Sequence, residues 1–237
     1  KEKKDFYSLY LKAKAHKNTQ VCSRNLYPPR VKDMNSRINM LHAYGWEETQ
    51  FPSEWVEDFN SSLQAITVMS KKVKDILIDN GVYVPISICG LGVDHINQVS
   101  VDKKYILDTK SFVFLHVSSC FPRKGVDLLL EAYGEAFRHE DDVSLVIKTF
   151  NNPHNEVKKH LNELRKKDSY PHVVLIEDEI DESKLRSLYQ QSNCLVAPSF
   201  GEGFGLPIGE AMLHGLPVIT TSFGGQLDFC SSENSWL

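Results

Sequence analysis

The sequence predicts an α/β protein: a Rossmann-like domain built on a parallel sheet over residues 111–237, preceded by the closing part of a second α/β domain over residues 1–94. Three observations predict it. From residue 111 onward, short runs read as strands alternate strictly with segments of helical period. Those short runs are continuously apolar rather than alternating, the pattern of strands buried on both faces. The composition fits, because 237 residues at 41% hydrophobic and 24% charged can fill a real core.

Taken in order, Phe6 to Lys17 reads as a helix, and Pro28-Pro29 breaks the chain. Ile38 to Tyr44 is expected as a strand. Pro52-Ser53-Glu54 reads as a helix start with Ser53 as N-cap. Ala65 to Met69 is a strand. Ser70 should cap a helix over Lys71 to Asn80, with Val73, Ile76 and Leu77 inward and Gly81 ending it. Val82 to Ile88 is a further strand, Gly90-Leu91-Gly92-Val93-Asp94 a turn, and residues 95–110 a linker. Strands are then expected at 112–117, 143–150, 173–176, 194–197 and 217–221. Helices over 124–137, 155–167, 182–191 and 206–214 separate them, the first with Val126, Leu129, Leu130, Tyr133 and Phe137 on one face. A domain of this kind normally carries another strand or helix, so its C-terminal end reads as cut short. Lys1 is not a start residue, and Ser235-Trp236-Leu237 is a large, apolar ending.

Twenty-seven basic residues against thirty-one acidic ones give a net charge of −4, which argues against a nucleic-acid partner. No apolar run approaches the roughly 18 residues of a membrane span, although peripheral membrane contact is compatible with the sequence. The five cysteines form no CxxC pair. They read as reduced, mostly buried thiols of a cytoplasmic protein, and no metal-ligating spacing is present.

The most informative stretch is Pro198-Ser199-Phe200-Gly201-Glu202-Gly203-Phe204-Gly205-Leu206-Pro207-Ile208-Gly209-Glu210. It joins a strand to the following helix, and in open parallel sheets ligands bind beyond the carboxyl ends of strands. Glycines at alternate positions let backbone lie against a ligand. Pro207 suits the first helical turn. The amides near Gly203, Phe204, Gly205 and Leu206 then face an anion at the helix N-terminus. Glu202 and Glu210 would repel a phosphate and make sense there as acceptors for hydroxyl groups. A glycine-rich loop with two solvated glutamates fits the spacing equally well. No dinucleotide fingerprint and no GxxxxGK[ST] loop is present.

Arg123 and Lys124 follow the strand at 112–117. Two cations at a helix start oppose its dipole, so an anion is expected to offset them, and both could reach the same phosphates. An exposed basic turn is the simpler alternative. Lys148 is a weaker candidate.

On these residues the chain resembles the retaining glycosyltransferases of family 4, on the GT-B fold. The resemblance rests on PSFGEGFGLPIGEAMLHGLPVITT (198–221) with its Glu-x7-Glu pair, RKGVDLLLEAY (123–133), GLGVD (90–94) and Gly224-Gly225. YGWEETQFPSEW (44–55) looks like the acceptor-domain end of some large bacterial members, and the N-terminal portion is short for a complete acceptor domain, so the chain is expected to be a piece of a larger enzyme. The resemblance implies a nucleotide-diphosphate-sugar donor, such as a UDP- or GDP-sugar, and a glycan or lipid-linked acceptor. It implies work in surface polysaccharide biosynthesis, in the cytoplasm or at the inner face of its membrane. Glu202 would be the catalytic glutamate near the donor sugar and Glu210 the ribose ligand. Arg123 and Lys124 would hold the diphosphate, and Ile180 would contact the base through its backbone. No cofactor and no metal is implied. Family members often carry Gly-Arg where this chain has Ser118-Ser119, so Arg123 is expected to supply that charge. His42, Glu47 and Glu48 lie where an acceptor-side catalytic residue would, although surface roles suit each better. Trp46 and Trp55 read as core. His214 reads as a partner of the helix C-terminus. Alternatives are a donor-binding module without catalysis and a nucleotide-sugar epimerase or phosphorylase.

Overall fold

The computed structural model describes residues 19–237 together with Tyr7, Ser8 and Leu11. Apart from those three, the helix expected over 6–17 lies outside the described residues. The chain divides into two compact units, Lys1–Gly90 and Leu91–Leu237.

The first unit holds strands β1 (Val21–Arg24), β2 (Ile38–Tyr44), β3 (Ala65–Val68) and β4 (Ile86–Ile88), paired in that order. All three pairings are parallel. Helices α1 (Ser53–Ser62) and α2 (Lys71–Asp79) make the crossovers between β2, β3 and β4. Helix α2 forms for local reasons. The Ser70 hydroxyl accepts from the Val73 amide at 3.3 Å. Val73, Ile76 and Leu77, at helical spacing, form its buried face. Gly81, at φ +96, ends it, and the amides of Gly81 and Val82 donate back to Ile78 and Leu77 at 2.9 Å. That turn removes Val82 from the strand expected over 82–88, which begins only at Ile86. Ser53 is not the cap of α1. Pro52 occupies that position, and its carbonyl accepts from Trp55 and Val56. Trp46 and Trp55 pack edge-on at 5.7 Å, each also against Phe51, so both are core.

In the second unit, strands β5 (Phe112–Val117), β6 (Val143–Lys148), β7 (His172–Ile176), β8 (Cys194–Ala197) and β9 (Val218–Thr220) form a sheet of order β7-β6-β5-β8-β9. Every pairing is parallel. Helices α4 (Val126–Ala136) and α5 (Val157–Leu164) pack on one core, where Leu130 and Leu161 meet Leu145 and Ile147. Helices α6 (Glu182–Gln191) and α7 (Leu206–Leu213) pack on another, where Leu188 and Ile208 meet Leu115 and Leu195. Neighbouring strand residues thus serve opposite faces, which is why these strands are mostly apolar, with His116, Ser144 and Thr220 buried among them. Fully burying each such leucine contributes about 2 kcal/mol.

The stretch expected as a linker, residues 95–110, clusters with the second unit. It contains a short helix, α3 (His95–Gln98). Arg186 on α6 donates to the carbonyls of Asn97 and Val99. Ser187 and Gln191 donate to those of Asp102 and Tyr105, at 3.0 and 2.8 Å. At the other end, Trp236 bridges β9, exchanging backbone bonds of 2.9 Å with Val218 and Thr220.

Candidate functional site

The sheet order reverses at β5. The chain runs outward through β6 and β7, then returns to place β8 on the opposite side of β5. The carboxyl ends of β5 and β8 therefore lead into two adjacent loops, and such a switch point opens a crevice. The loops after them, 118–125 and 198–205, are bonded to each other. The Phe200 amide donates to the Arg123 carbonyl at 2.7 Å, and Ser199 Oγ donates to it at 3.1 Å. Arg123 returns a guanidinium bond to the Gly201 carbonyl at 2.8 Å. The contact is close enough to require a glycine. A Cβ on Gly125 would lie 2.2 Å from the Pro198 carbonyl oxygen, and its φ of +66 is left-handed.

Gly125 also corrects the expected helix start. Arg123 and Lys124 belong to a separate 3-10 turn, Pro122–Lys124, and α4 begins at Val126. The cations lie just ahead of the N-cap of α4, outside the helix, and a carboxylate of the chain itself offsets one of them. Lys124 Nζ lies 2.5 Å from Glu202 Oε1, with side chains only 14% and 11% exposed. The Glu202 carbonyl accepts from the Gly225 amide at 2.7 Å, tying the loop to the 3-10 turn Gly225–Asp228.

Past Glu202 the chain turns into α7. Gly203 and Gly205 are buried, Phe204 packs on Phe229 at 5.1 Å, and Leu206 is exposed. Gly205, at φ +92, is the N-cap, and Pro207 follows in the first turn. Pro207 has no N–H and the Ile208 amide donates to the Gly205 carbonyl at 3.0 Å, which leaves the amides of Gly205 and Leu206 at the helix end, where an anion is favoured. Glu210 is buried one turn further on. The Tyr189 hydroxyl of α6 donates to its Oε2 at 2.7 Å, and His95 Nε2 lies 3.3 Å from its Oε1. Burial and then the Glu210 charge push the Tyr189 phenol well above its usual range. His214 caps α7, donating from Nδ1 to the Glu210 carbonyl at 2.8 Å, and stacks on the Tyr189 ring at 5.4 Å.

The sequence missed His116. It sits in β5 as one of six residues read only as an apolar run. Its Nδ1 is 2.8 Å from the Val196 carbonyl, which can only accept, so Nδ1 carries the proton. Nε2 is then the acceptor for Ser118 Oγ at 2.7 Å. Burial holds the imidazole down at about 4, with nearby Lys124 adding to the effect. Neutral His116 thus ties β8 to the first residues of the loop that carries Arg123 and Lys124.

Of the residues expected at the site, the two bonded loops and α7 carry Arg123, Lys124, Glu202, Gly203, Phe204, Gly205, Leu206 and Glu210. Ile180 is on a different loop, just ahead of α6, part-buried against the core. Lys148 donates to the Thr149 carbonyl, and burial lowers its ammonium. His42, in the first unit, is exposed and bonds Ser23 Oγ at 2.8 Å. Among the described residues, no three His, Cys, Asp or Glu side chains converge as a metal site would require. No described helix is long and apolar enough to cross a membrane.

The family profile described as Glycosyl transferases group 1 matches residues 98–235. The chain belongs to that family. It is similar to the MMP alpha-(1->4)-mannosyltransferase of Mycolicibacterium hassiacum, 29% identical over 165 residues, which are 68% of this chain and 37% of that protein. It is also similar to the serotype-specific mannosyltransferase WbdA of Escherichia coli, 36% identical over 110 residues, 45% of this chain and 13% of that protein. The chain thus spans well under two thirds of these relatives. Among solved structures, Anabaena HepE in complex with UDP and glucose superposes with a TM-score of 0.69 at 19% identity, over 84% of this chain and 57% of that one. The fold of this glycosyltransferase-family chain is of GT-B type.

Proposed function

We propose that this chain carries the donor site of a retaining glycosyltransferase. The enzyme would move a sugar from a nucleotide-diphosphate sugar to a glycan or lipid-linked acceptor. The observation that carries the reading is the pairing of two buried carboxylates, Glu202 and Glu210, with the α7 N-terminus and the cations of the β5 loop. In this reading the diphosphate lies over the first turn of α7. Its negative charge meets the Gly205 and Leu206 amides and the Arg123–Lys124 turn. Glu202 accepts from donor-sugar hydroxyls, Glu210 from the ribose, and Ile180 lies beside the base. As the sugar leaves, charge builds on the diphosphate, and those donors stabilise it in place. The acceptor hydroxyl attacks from the face the phosphate departs, so configuration is retained with no metal or cofactor taking part.

The relatives support the setting. WbdA is a serotype-specific mannosyltransferase, which favours surface polysaccharide as the product class. The HepE complex holds UDP, which favours a nucleotide-linked donor. Work at the cytoplasmic face of a membrane follows if the acceptor is lipid-linked.

Calorimetry and product analysis test this. UDP or GDP should bind in the presence of a chelator, and Glu210→Ala should weaken binding at least about tenfold, the loss of bonds to a charged acceptor. Glu202→Ala should keep binding and lose sugar transfer or donor hydrolysis. NMR of the product should give the donor's anomeric configuration. Unchanged affinity and turnover in both variants would remove the assignment.

A further inference from the structure

The two oxygens of Glu210 live in different surroundings. Oε2 faces a phenol that is 1% exposed, at 2.7 Å. Oε1 faces His95 Nε2 at 3.3 Å, and the His95 side chain is 50% exposed. A buried tyrosine, packed in the core between α6 and α7, has one rotamer open to it. An exposed imidazole on a short helix can move aside. His214 braces the tyrosine from behind, its ring 15° from parallel. His214 also fixes the backbone of Glu210 through the carbonyl bond already described. So one oxygen is tied to the core and the other faces a half-exposed imidazole that can be displaced.

We propose that Tyr189 is a positioning residue for Glu210: its hydroxyl holds Oε2 and thereby presents Oε1 to a ribose hydroxyl of the nucleotide. This rests on the donor-site reading above and deepens it. Tyr189 itself touches no ligand. Without its hydroxyl, the carboxylate is free to rotate, and a ribose hydroxyl meets an acceptor that is no longer aimed. The affinity lost should therefore be lost only with ligands that carry that hydroxyl.

The experiment measures dissociation constants of UDP and GDP and of their 2′-deoxy and 3′-deoxy forms. It compares the wild-type chain, Tyr189→Phe and Glu210→Ala. Phenylalanine keeps the ring and its stack on His214, so Tyr189→Phe retains the fold, as thermal unfolding checks. Wild type should prefer a ribonucleotide over one deoxy form by about tenfold or more. Glu210→Ala should abolish that preference. Tyr189→Phe should weaken the ribonucleotide about fivefold while leaving that deoxy form near its wild-type affinity.

Equal weakening of both forms, or none, gives Tyr189 a merely structural part and overturns the inference while the donor-site reading stands. A preference that survives Glu210→Ala overturns the donor-site reading itself. Absence of binding to either ribonucleotide does the same.

Discussion

Acidifying the protein should expose the cost of burying His116. The imidazole titrates at about 4 in the fold and near 6.5 in an unfolded chain. Between those values the unfolded state binds more protons, so stability rises with pH across that window and falls on acidification. From pH 7 to pH 5 the loss is about 2 kcal/mol, growing to about 3 kcal/mol once pH falls below the folded value. For a chain of this size, about 2 kcal/mol lowers the melting temperature by about 4–8 °C. The charged groups acting on the ring are Lys124, which opposes its protonation, and Glu202, which favours it. Lys124 has the larger effect of the two, and both are smaller than that of burial. His116→Asn removes the titration and keeps a donor near the Val196 carbonyl. Denaturant unfolding of both proteins at pH 7, 6 and 5 isolates the effect, because every other titrating group is shared. Wild type should lose about 2 kcal/mol more than the variant between pH 7 and pH 5. Parallel losses in the two proteins would refute the reasoning.

Two further outcomes are expected. Gly125→Ala combines a left-handed φ with a carbonyl oxygen 2.2 Å from the new methyl group, so the two site loops must separate. Urea unfolding should record a loss of about 2–4 kcal/mol, and a neutral result would contradict the close approach. Lys124→Ala leaves the mostly buried Glu202 carboxylate without its partner and should cost about 3 kcal/mol. The double variant Lys124→Met with Glu202→Gln should recover most of that loss, and a double variant no more stable than the single one would show that the stranded carboxylate is not the source of the loss.

The sheet of the second unit was legible because most of its strand residues are buried, and β5, β6, β7 and β8 are each followed by a helix with a clear apolar stripe. Strand β1 was not, because Val-Cys-Ser-Arg is short, polar in part and nowhere fully buried. Helix α3 carries a single buried residue, Ile96, too little for any period to register. The sequence places that helix start at Lys124, two residues early, because an apolar stripe beginning at Val126 does not mark its own first residue, whereas the left-handed turn at Gly125 is set against the neighbouring loop. The glutamates and the glycine loop of the site were visible as a local string. Their partners were hidden by their apolar surroundings: Tyr189 reads as an inward helix residue and His116 as part of a hydrophobic strand. Each does belong to the core, and each uses its one polar group on the site. A histidine amid six strand residues, or a tyrosine phenol on an inward face, is the signal that could have found them.

The seam where the Gly125 backbone lies against Pro198 has a bearing on how this chain could be re-engineered. Because Arg123 is hydrogen-bonded to Ser199, Phe200 and Gly201 across that seam, the shape of each segment depends on the other. Anyone grafting a new specificity onto this scaffold would have to move 118–125 and 198–205 as one matched cassette. For the same reason, natural drift in one half would have to be answered by the other.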